Sequence, residues 1–381
     1  MNIFSKTKII LFIVILIFSE TAMSNFLSKH LNASELQEML NVDKEKDRMI
    51  LENITISNLD FPETTVSEIT FSNTDWKHIN GEGRVFNILT FKDCKLEDIN
   101  FRKIKAKILK FINCELINVV TRKSEVDYLI FKNSKIISTD SNIEHNWWEM
   151  KTDKVEITDS DLENISFYDG VGKFYIKQSK LEFVDGRGLK KGSLLEIYDV
   201  KATRMDFSNS YLDHLIIKNS FINDSKVNES YIKKVVLDNN NFYDTAITDI
   251  KECNFVKADN ISELTVGGDV EELKISNCRN GSDVFIADSQ FDTVEIEQCN
   301  TDEFLAFEAK INTMKLSNMY INRFNINNSN IKSLELNNIT ISKKLYTKNT
   351  QVENYKAINV TVKEGIKRKT GGENITIKST P

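Results

Sequence analysis

Four of the five cysteines form two pairs whose spacing could bring their sulfur atoms together. The interval from Cys94 to Cys114 is nearly the same as the interval from Cys278 to Cys299. If the chain repeats after about that length, each pair stacks on neighbouring turns within the Cα distance of a disulfide bond. Two outcomes stay open, namely buried free thiols at a position that wants a small side chain, or at least one disulfide in an oxidising compartment. The sequence has no CxxC motif, so a zinc site is not expected.

The four histidines, His30, His78, His145 and His214, make no spaced pair suited to a metal or to an activated nucleophile. A polysaccharide-cleaving enzyme of β-helical build needs long loops with clustered acidic and basic residues, and most turns in this chain have no residues to spare. We therefore expect no catalytic residue, no metal site and no cofactor. A carbohydrate-active β-helix enzyme stays open as an alternative.

Two groups of aromatic residues are candidates for contact with a partner. Trp147 and Trp148 lie in a polar insertion over residues 138–153, where at least one indole is expected to face solvent. The alternative is that these side chains fold back over the fold and cover apolar surface. Tyr211 and Tyr231 lie one repeat apart at an outward position and are candidates for a stacking surface that binds a sugar or a partner. The alternative is two ordinary solvent-facing tyrosines on a β surface.

A line of carboxamide and carboxylate side chains recurs at a fixed place in the repeat. Such a line could coordinate cations or bind sugar hydroxyls, but it more often forms a structural ladder that satisfies backbone groups at corners. Its members are Asp93, Asn113, Asn133, Asp159, Gln178, Asp199, Asn219, Asn239, Asn277, Gln298, Asn318 and Asn338.

A period of five indicates the elements that carry these residues. Residues 195–249 divide into consecutive fives, beginning LEIYD, VKATR, MDFSN and SYLDH, whose third residue is always apolar or small. This period differs from the 3.6 residues of a helix and from the 2.0 residues of a flat strand. It is typical of a chain that points two residues inward on a short strand, turns at a polar corner and repeats.

Four consecutive fives make a larger repeat, because the motifs ITFSNT, LTFKDC, LKFINC and LIFKNS begin at positions 69, 89, 109 and 129. They predict one column of inward residues. The column comprises Phe71, Phe91, Phe111, Phe131, Ile157, Ile176, Ile197, Ile217, Leu237, Ile275, Ile296, Leu316 and Leu336. We therefore predict a square coil with one five per side, and about fourteen such coils would form a rod on the order of 70 Å long.

Breaks in the period mark departures from the regular coil. The column step from Phe131 to Ile157 exceeds four fives, and the excess places six extra residues in the insertion 138–153. The glycine-rich, basic run VDGRGLKKGS, residues 184–193, predicts a bulged corner with a slippage of one residue. The later step from Leu237 to Ile275 is slightly less than two full repeats. It indicates two short coils and leaves the register between residues 248 and 272 open.

Tandem fives such as SYLDH, SFIND, CELIN, SKLEF and SDLEN resemble the pentapeptide-repeat family, which has a small first residue and a central Leu or Phe. Many other fives in this chain begin with Ile, Leu, Val or Met. The resemblance covers residues 50–342 and implies the fold of that family, a right-handed quadrilateral β-helix. The expected fold class is therefore all-β, a right-handed parallel β-helix with a solenoid over residues 49–342.

The two ends of the chain are expected to lie outside the repeat. Residues 1–24 combine lysines, a short apolar run and small residues, which is the pattern of a secretory signal peptide. Residues 25–48 are expected to form a helical cap with a capping box at Ser34 and Gln37. Residues 343–381 are expected to form a C-terminal cap and tail.

Composition limits the class of protein. With 40% hydrophobic residues, 2 Pro and 13 Gly in 381 residues, the chain is neither disordered nor collagen-like. The net charge of −6, from 50 basic and 56 acidic residues, gives no global basic surface for nucleic acid.

Together these features predict a secreted or periplasmic bacterial protein that acts as a non-catalytic binding or scaffold protein for a protein or glycan partner. We expect no nucleic-acid partner and no stable membrane insertion after signal cleavage, and a homo-oligomer through a solenoid face or end stays open. The family resemblance implies an alternative, because some members resemble duplex DNA and occupy DNA topoisomerases. The signal peptide and the weak acidity count against it.

Overall fold

The protein is an all-β parallel β-solenoid of about 15 turns with about 20 residues in each turn, and one short helix lies near the N-terminus. The expected fold class is thus confirmed. The structure, a computed structural model, describes residues 29–42, 47–139, 147, 149–243, 246–259, 261, 263–279, 281–363 and 376–377. The predicted signal peptide, residues 1–24, lies outside the described residues.

Two series of strands run along the solenoid, and neighbouring strands within each series are parallel. The first series is β1 (Lys29–Leu31), β3 (Ile54–Asp60), β5 (Asp75–Asn80), β7 (Lys95–Asn100), β9 (Glu115–Ile117), β11 (Lys135–Ile137), β13 (Asp161–Ser166), β15 (Lys180–Asp185), β17 (Lys201–Asp206), β19 (Phe221–Asn223) and β21 (Asn241–Tyr243). The second series is β2 (Arg48–Glu52), β4 (Glu68–Ser72), β6 (Val85–Lys92), β8 (Lys105–Ile112), β10 (Glu125–Lys132), β12 (Lys151–Thr158), β14 (Val171–Lys177), β16 (Ser193–Tyr198), β18 (Tyr211–Lys218) and β20 (Tyr231–Asp238).

Beyond β20 most strands are longer, because they continue around corners that interrupt the strands earlier in the chain. They are β22 (Ala246–Asp259), β23 (Glu263–Ser276), β24 (Ser282–Glu297), β25 (Asn300–Phe307), β26 (Lys310–Asn325), β27 (Asn330–Tyr346), β28 (Gln351–Val362) and β29 (Thr376–Ile377). β28 pairs with β27 from Gln351 to Val362, so the stack of strands extends past residue 342.

The helix α1 (Ala33–Val42) precedes the first coil. Asn32 and Glu35 cap it reciprocally, since each backbone N–H donates to the side-chain oxygen of the other residue at 3.0 Å. The capping box predicted at Ser34 and Gln37 is therefore wrong by two residues. The side chain of Gln37 instead donates to a backbone carbonyl beyond the helix.

The apolar face of α1 joins the core of the first coils. Leu36 and Leu40 are fully buried and belong to one continuous core with Leu51 and Ile54. The helix thus shields apolar side chains at the start of the solenoid, where a preceding coil would otherwise be needed.

The period of five correctly predicts which residues face the inside of the solenoid. Every central residue of the fives between 195 and 249 is buried, from Ile197 to Ile247. The column of phenylalanines also has the predicted register, since Phe71, Phe91 and Phe111 are direct partners on successive parallel strands. The five-residue period therefore determines which side chains face the inside of the solenoid and which face outward.

The open register between residues 248 and 272 is resolved by Ala258. This residue pairs with Leu237 on one side and with Ile275 on the other, so it is the missing member of the inner column. The long step from Leu237 to Ile275 thus divides into one coil of ordinary length and one shorter coil, and the ladder between β22 and β23 contains two register shifts. Because the column residue of this coil is an alanine, the apolar pattern of the sequence does not identify it.

Candidate functional site

Tyr211 and Tyr231 form a stacked pair on the outside of the solenoid. They begin β18 and β20 and are direct partners in the parallel ladder between these strands. Their ring centroids lie 4.6 Å apart and their planes differ by 7°. Tyr211 is 46% exposed, which makes this pair a large aromatic surface in contact with solvent.

The ladder itself holds the two tyrosines in place. Leu212 and Ile232, the next residues on each strand, are buried, and alternation along a strand then turns the preceding tyrosines outward. On the other side, the backbone N–H of Ser210 donates to Ser230 Oγ at 3.1 Å. Each tyrosine is thus fixed by an inward anchor after it and a hydrogen-bonded serine before it.

A groove of about 290 Å³ runs beside the pair. Besides the two tyrosines it is lined by Leu212 and Ile232 and by the charged residues Asp213 and Lys233. Lys233 Nζ lies 2.6 Å from Asp213 Oδ1 in an ion pair between neighbouring coils. The groove therefore combines aromatic side chains with a charged pair.

One end of the groove is lined by Lys191, which lies in the predicted bulged corner. The backbone N–H of Ser193 donates to the carbonyl of Lys190 at 3.1 Å and closes a turn. Gly192 has a φ of +94°, a backbone conformation that suits glycine in this turn. The side chain of Lys190 leaves the groove and pairs with Asp169 at 2.6 Å.

Trp147 is part of the core and not of the surface. Its side chain is 1% exposed, and its ring meets that of Phe131 edge to face at a centroid distance of 5.1 Å. The expectation that Trp147 offers a surface contact is therefore corrected, in favour of the alternative that the indole covers apolar side chains. Trp148 lies outside the described residues, so its proposed contact stays a prediction.

The two cysteine pairs differ. Cys278 and Cys299 are joined by a disulfide with a Cα–Cα distance of 4.5 Å. Cys94 and Cys114 are buried free thiols. A hydrogen bond with Cys114 lowers the pKa of the Cys94 thiol, whereas the pKa of Cys114 is raised by that bond and by burial. Both outcomes left open by the sequence thus occur, one in each pair.

The line of carboxamides and carboxylates is a structural ladder at one corner of the coil. All twelve residues named for it have left-handed backbone, with φ between 48° and 56°. Several neighbouring members bond to one another, as where Asn113 Nδ2 donates to Asp93 Oδ1 and Asn133 Nδ2 donates to Asn113 Oδ1, both at 2.9 Å. Asn and Asp tolerate this conformation better than other residues with a Cβ, which accounts for all members except Gln178 and Gln298.

The described part of the chain contains no group of three or more His, Cys, Asp or Glu side chains able to hold a metal ion. The same residues include no helix with the length and apolarity needed to cross a bilayer.

Comparisons with known proteins give little further information. No protein-family model matches the chain, and no curated protein sequence matches it. Among solved structures, a trypsin-treated form of QnrB1, a plasmid-mediated fluoroquinolone resistance protein, is similar at 8% sequence identity and a TM-score of 0.18. That similarity covers 56% of this chain and 83% of the other. At so low a TM-score it carries no argument about function.

Proposed function

We propose that this chain is a non-catalytic binding scaffold, and that the groove beside Tyr211 and Tyr231 is its contact with a protein or glycan partner. The observation that carries the proposal is the stacked, solvent-facing tyrosine pair on a ladder of hydrogen-bonded strands. Tyrosine is enriched at binding surfaces because it offers a large amphipathic area and loses little rotamer freedom on binding.

Preorganisation favours this site over a single exposed aromatic residue. Each ring of the pair already restricts the other, so binding orders fewer side chains and costs less entropy. Tyr128, which is 47% exposed on β10, provides the comparison, because it has a similar exposed fraction and pairs in its ladder with Ile108 and Lys154 rather than with tyrosine.

The distribution of charge supports a protein or glycan partner rather than a nucleic acid. Lysines along the coils are often paired with acids one coil away, such as Lys95 with Glu115 at 3.3 Å and Lys105 with Glu125 at 3.0 Å. A groove that tracks a phosphate backbone needs an excess of positive charge instead.

Export is part of the same proposal. It is supported by the signal-like pattern of residues 1–24 and by the disulfide between Cys278 and Cys299, since disulfides persist in oxidising compartments. Expression in a bacterial host should give a mature chain in the exported fraction, and mass spectrometry of that fraction should show that the leader has been removed. Recovery of only the uncleaved chain from the cytosol would contradict export.

The binding proposal is tested by a double substitution, Tyr211→Ala with Tyr231→Ala. We expect binding to partners found by crosslinking in the native compartment, or on a glycan array, to fall about tenfold or more, because buried aromatic contacts dominate such interfaces. Tyr128→Ala is the matched control and should leave binding unchanged.

The circular dichroism spectrum should be the same for all three proteins, since both tyrosines lie outside the core. Retention of every partner by the double variant would overturn the proposed site.

A further inference from the structure

The groove is unusual at the end where Lys191 stands. The backbone N–H of Tyr211 donates to the carbonyl of Leu189, as that of Tyr231 donates to the carbonyl of Ser210. Leu189 therefore corresponds to Ser210, and Lys190 holds the place in its coil that Tyr211 holds in the next.

Ser193, in turn, is the partner of Leu212. Tyr211 and Leu212 are consecutive, whereas two residues, Lys191 and Gly192, separate Lys190 from Ser193. The turn itself thus holds two extra residues, and both are exposed. A register shift directly after the turn, where Ser193 pairs with Leu212 and Leu194 with His214, offsets one of them, so the net slippage is the one residue that the sequence predicts. This turn projects outward and makes an end wall for the groove.

One face of the Tyr211 ring is directed towards this wall. The rings of Tyr211 and Tyr231 are nearly parallel and belong to successive coils, so Tyr231 covers one face of Tyr211 and the other face is directed towards the preceding coil. In that coil the corresponding side chain is Lys190, which forms an ion pair with Asp169. The expanded turn therefore leaves space beside an aromatic face.

Lys191 gives this space a positive charge. Across the described residues its ammonium takes part in no ion pair, whereas Lys190 and Lys233 are each bound to an aspartate at 2.6 Å. Asp213, the carboxylate that lines the groove, is the partner of Lys233 in one of these pairs. An anionic group next to Lys191 would thus meet a cation that the protein itself leaves uncompensated.

We propose that this end of the groove binds a uronic acid residue of an acidic polysaccharide. The apolar face of the sugar ring would stack on Tyr211, its carboxylate would accept hydrogen bonds from Lys191 Nζ, and its hydroxyls would donate to Asp213. The volume of about 290 Å³ is at the lower limit of small-ligand sites, roughly 300–1,000 Å³, which suits a single ring. This inference rests on the proposed function and specifies its ligand class.

A single-stranded nucleic acid is the main competing ligand, because bases also stack on tyrosine. Such a ligand needs a row of cations that follows several phosphates. The groove offers one uncompensated lysine, and its lining also includes the carboxylate of Asp213. These charges favour a sugar with one carboxylate on each ring.

The test is calorimetry of the full-length mature protein with hexagalacturonate, and with the same hexamer after chemical reduction of its carboxylates to neutral galactose units. We expect binding of the acidic hexamer and at least tenfold weaker binding of the neutral one, since a charged hydrogen bond contributes enough for such a factor. Binding of the acidic hexamer should also weaken as salt is raised.

Four variants locate the interaction. Lys191→Gln should weaken binding of the acidic hexamer about tenfold and leave that of the neutral hexamer unchanged, because it removes only the charge. Lys177→Gln, at an exposed lysine on β14, is the matched control and should behave as the unmodified protein. Tyr211→Ala should weaken both hexamers, and Tyr211→Phe should retain most of the stacking.

Each other outcome overturns the inference. Equal binding of the two hexamers, or binding of the acidic hexamer that Lys191→Gln leaves intact, excludes the uronate site. So does tighter, steeply salt-dependent binding of a dodecathymidylate. If no hexamer binds but crosslinked partners are still lost with Tyr211→Ala and Tyr231→Ala, the inference fails and the proposed function stands. If those partners are retained as well, both fail.

Discussion

The N-terminal and C-terminal coils of this solenoid fill the same inner column in different ways. From Phe71 to Phe131 the column consists of stacked phenylalanine rings with centroids 5.2–5.5 Å apart and interplanar angles of 15° or less. From Ile275 to Leu336 the column is aliphatic. One backbone design thus accepts either filling.

The cysteines that follow these two parts of the column also differ. In the N-terminal coils Cys114 behaves like a serine, since its Sγ donates to the carbonyl of Phe91 at 3.4 Å, as Ser134 Oγ does to the carbonyl of Phe111 at 3.3 Å. In the C-terminal coils the same position holds the disulfide between Cys278 and Cys299. In the inner column, aromatic stacking joins the N-terminal coils only, whereas the C-terminal coils combine a disulfide with one stacked pair outside that column, Phe304 and Phe324.

The largest loss of stability is expected where a phenylalanine of the inner column is replaced. Phe111→Ala should lower the free energy of unfolding by roughly 3–5 kcal/mol, because it leaves a cavity and removes stacking on both Phe91 and Phe131. Urea unfolding followed by circular dichroism measures the loss.

Leu316→Ala in the aliphatic column is the matched substitution. It should cost roughly 2–5 kcal/mol, and less than Phe111→Ala, because no ring stacking is lost. If the two variants are equally destabilised, stacking contributes nothing beyond volume, and the proposed difference between the two regions is wrong.

A smaller loss of stability is expected when the disulfide is removed. Replacing Cys278 and Cys299 together by serine should cost about 3 kcal/mol, because the link closes a loop of about 21 residues in the unfolded chain. The same double change at Cys94 and Cys114 is the control. It should cost less, since serine already stands at the equivalent position of other coils.

Thiol titration of the denatured, unreduced protein provides a direct check of the same assignment. Three of the five cysteines should react, namely Cys94, Cys114 and Cys253. Five reactive thiols would show that the link between Cys278 and Cys299 does not form, and the two regions would then differ in their aromatic residues alone.

The sequence predicts the inner column well because side-chain size and burial repeat every five residues. Trp147 also obeys that rule, since it lies two fives before Ile157, with the buried Thr152 between them. The polar composition of the insertion instead predicts a surface position for Trp147, and that prediction is wrong. The period of five predicts the buried position correctly. Ala258 is missed for a different reason, as a methyl group gives little apolar signal at a column position.

Other features depend on contacts that no local pattern contains. The two cysteine pairs have nearly the same spacing in the sequence, yet only Cys278 and Cys299 are bonded. The tyrosine stack could be proposed from spacing, but the groove could not. Its end wall depends on how the extra residues at Lys191 project, which is decided by the turn and by the pairing of Lys190 with Asp169.

The smallest effect is expected at the corner that both regions share. Asn113 in the N-terminal coils and Asn338 in the C-terminal coils have φ of 55° and 54°, and each donates to the preceding member of the ladder at 2.9 Å. Asn113→Ala and Asn338→Ala should each cost roughly 1–2 kcal/mol, because alanine is strained in left-handed backbone. Thermal or urea unfolding measures both.

Glycine substitutions at the same two positions separate strain from hydrogen bonding. Asn113→Gly and Asn338→Gly should cost less than the alanine variants, since glycine adopts positive φ readily and only the ladder bond is lost. If glycine is as harmful as alanine, the side-chain bonds between coils, and not the backbone conformation, are what selects asparagine. If the two corners respond differently, the ladder too depends on whether the neighbouring column is aromatic or aliphatic.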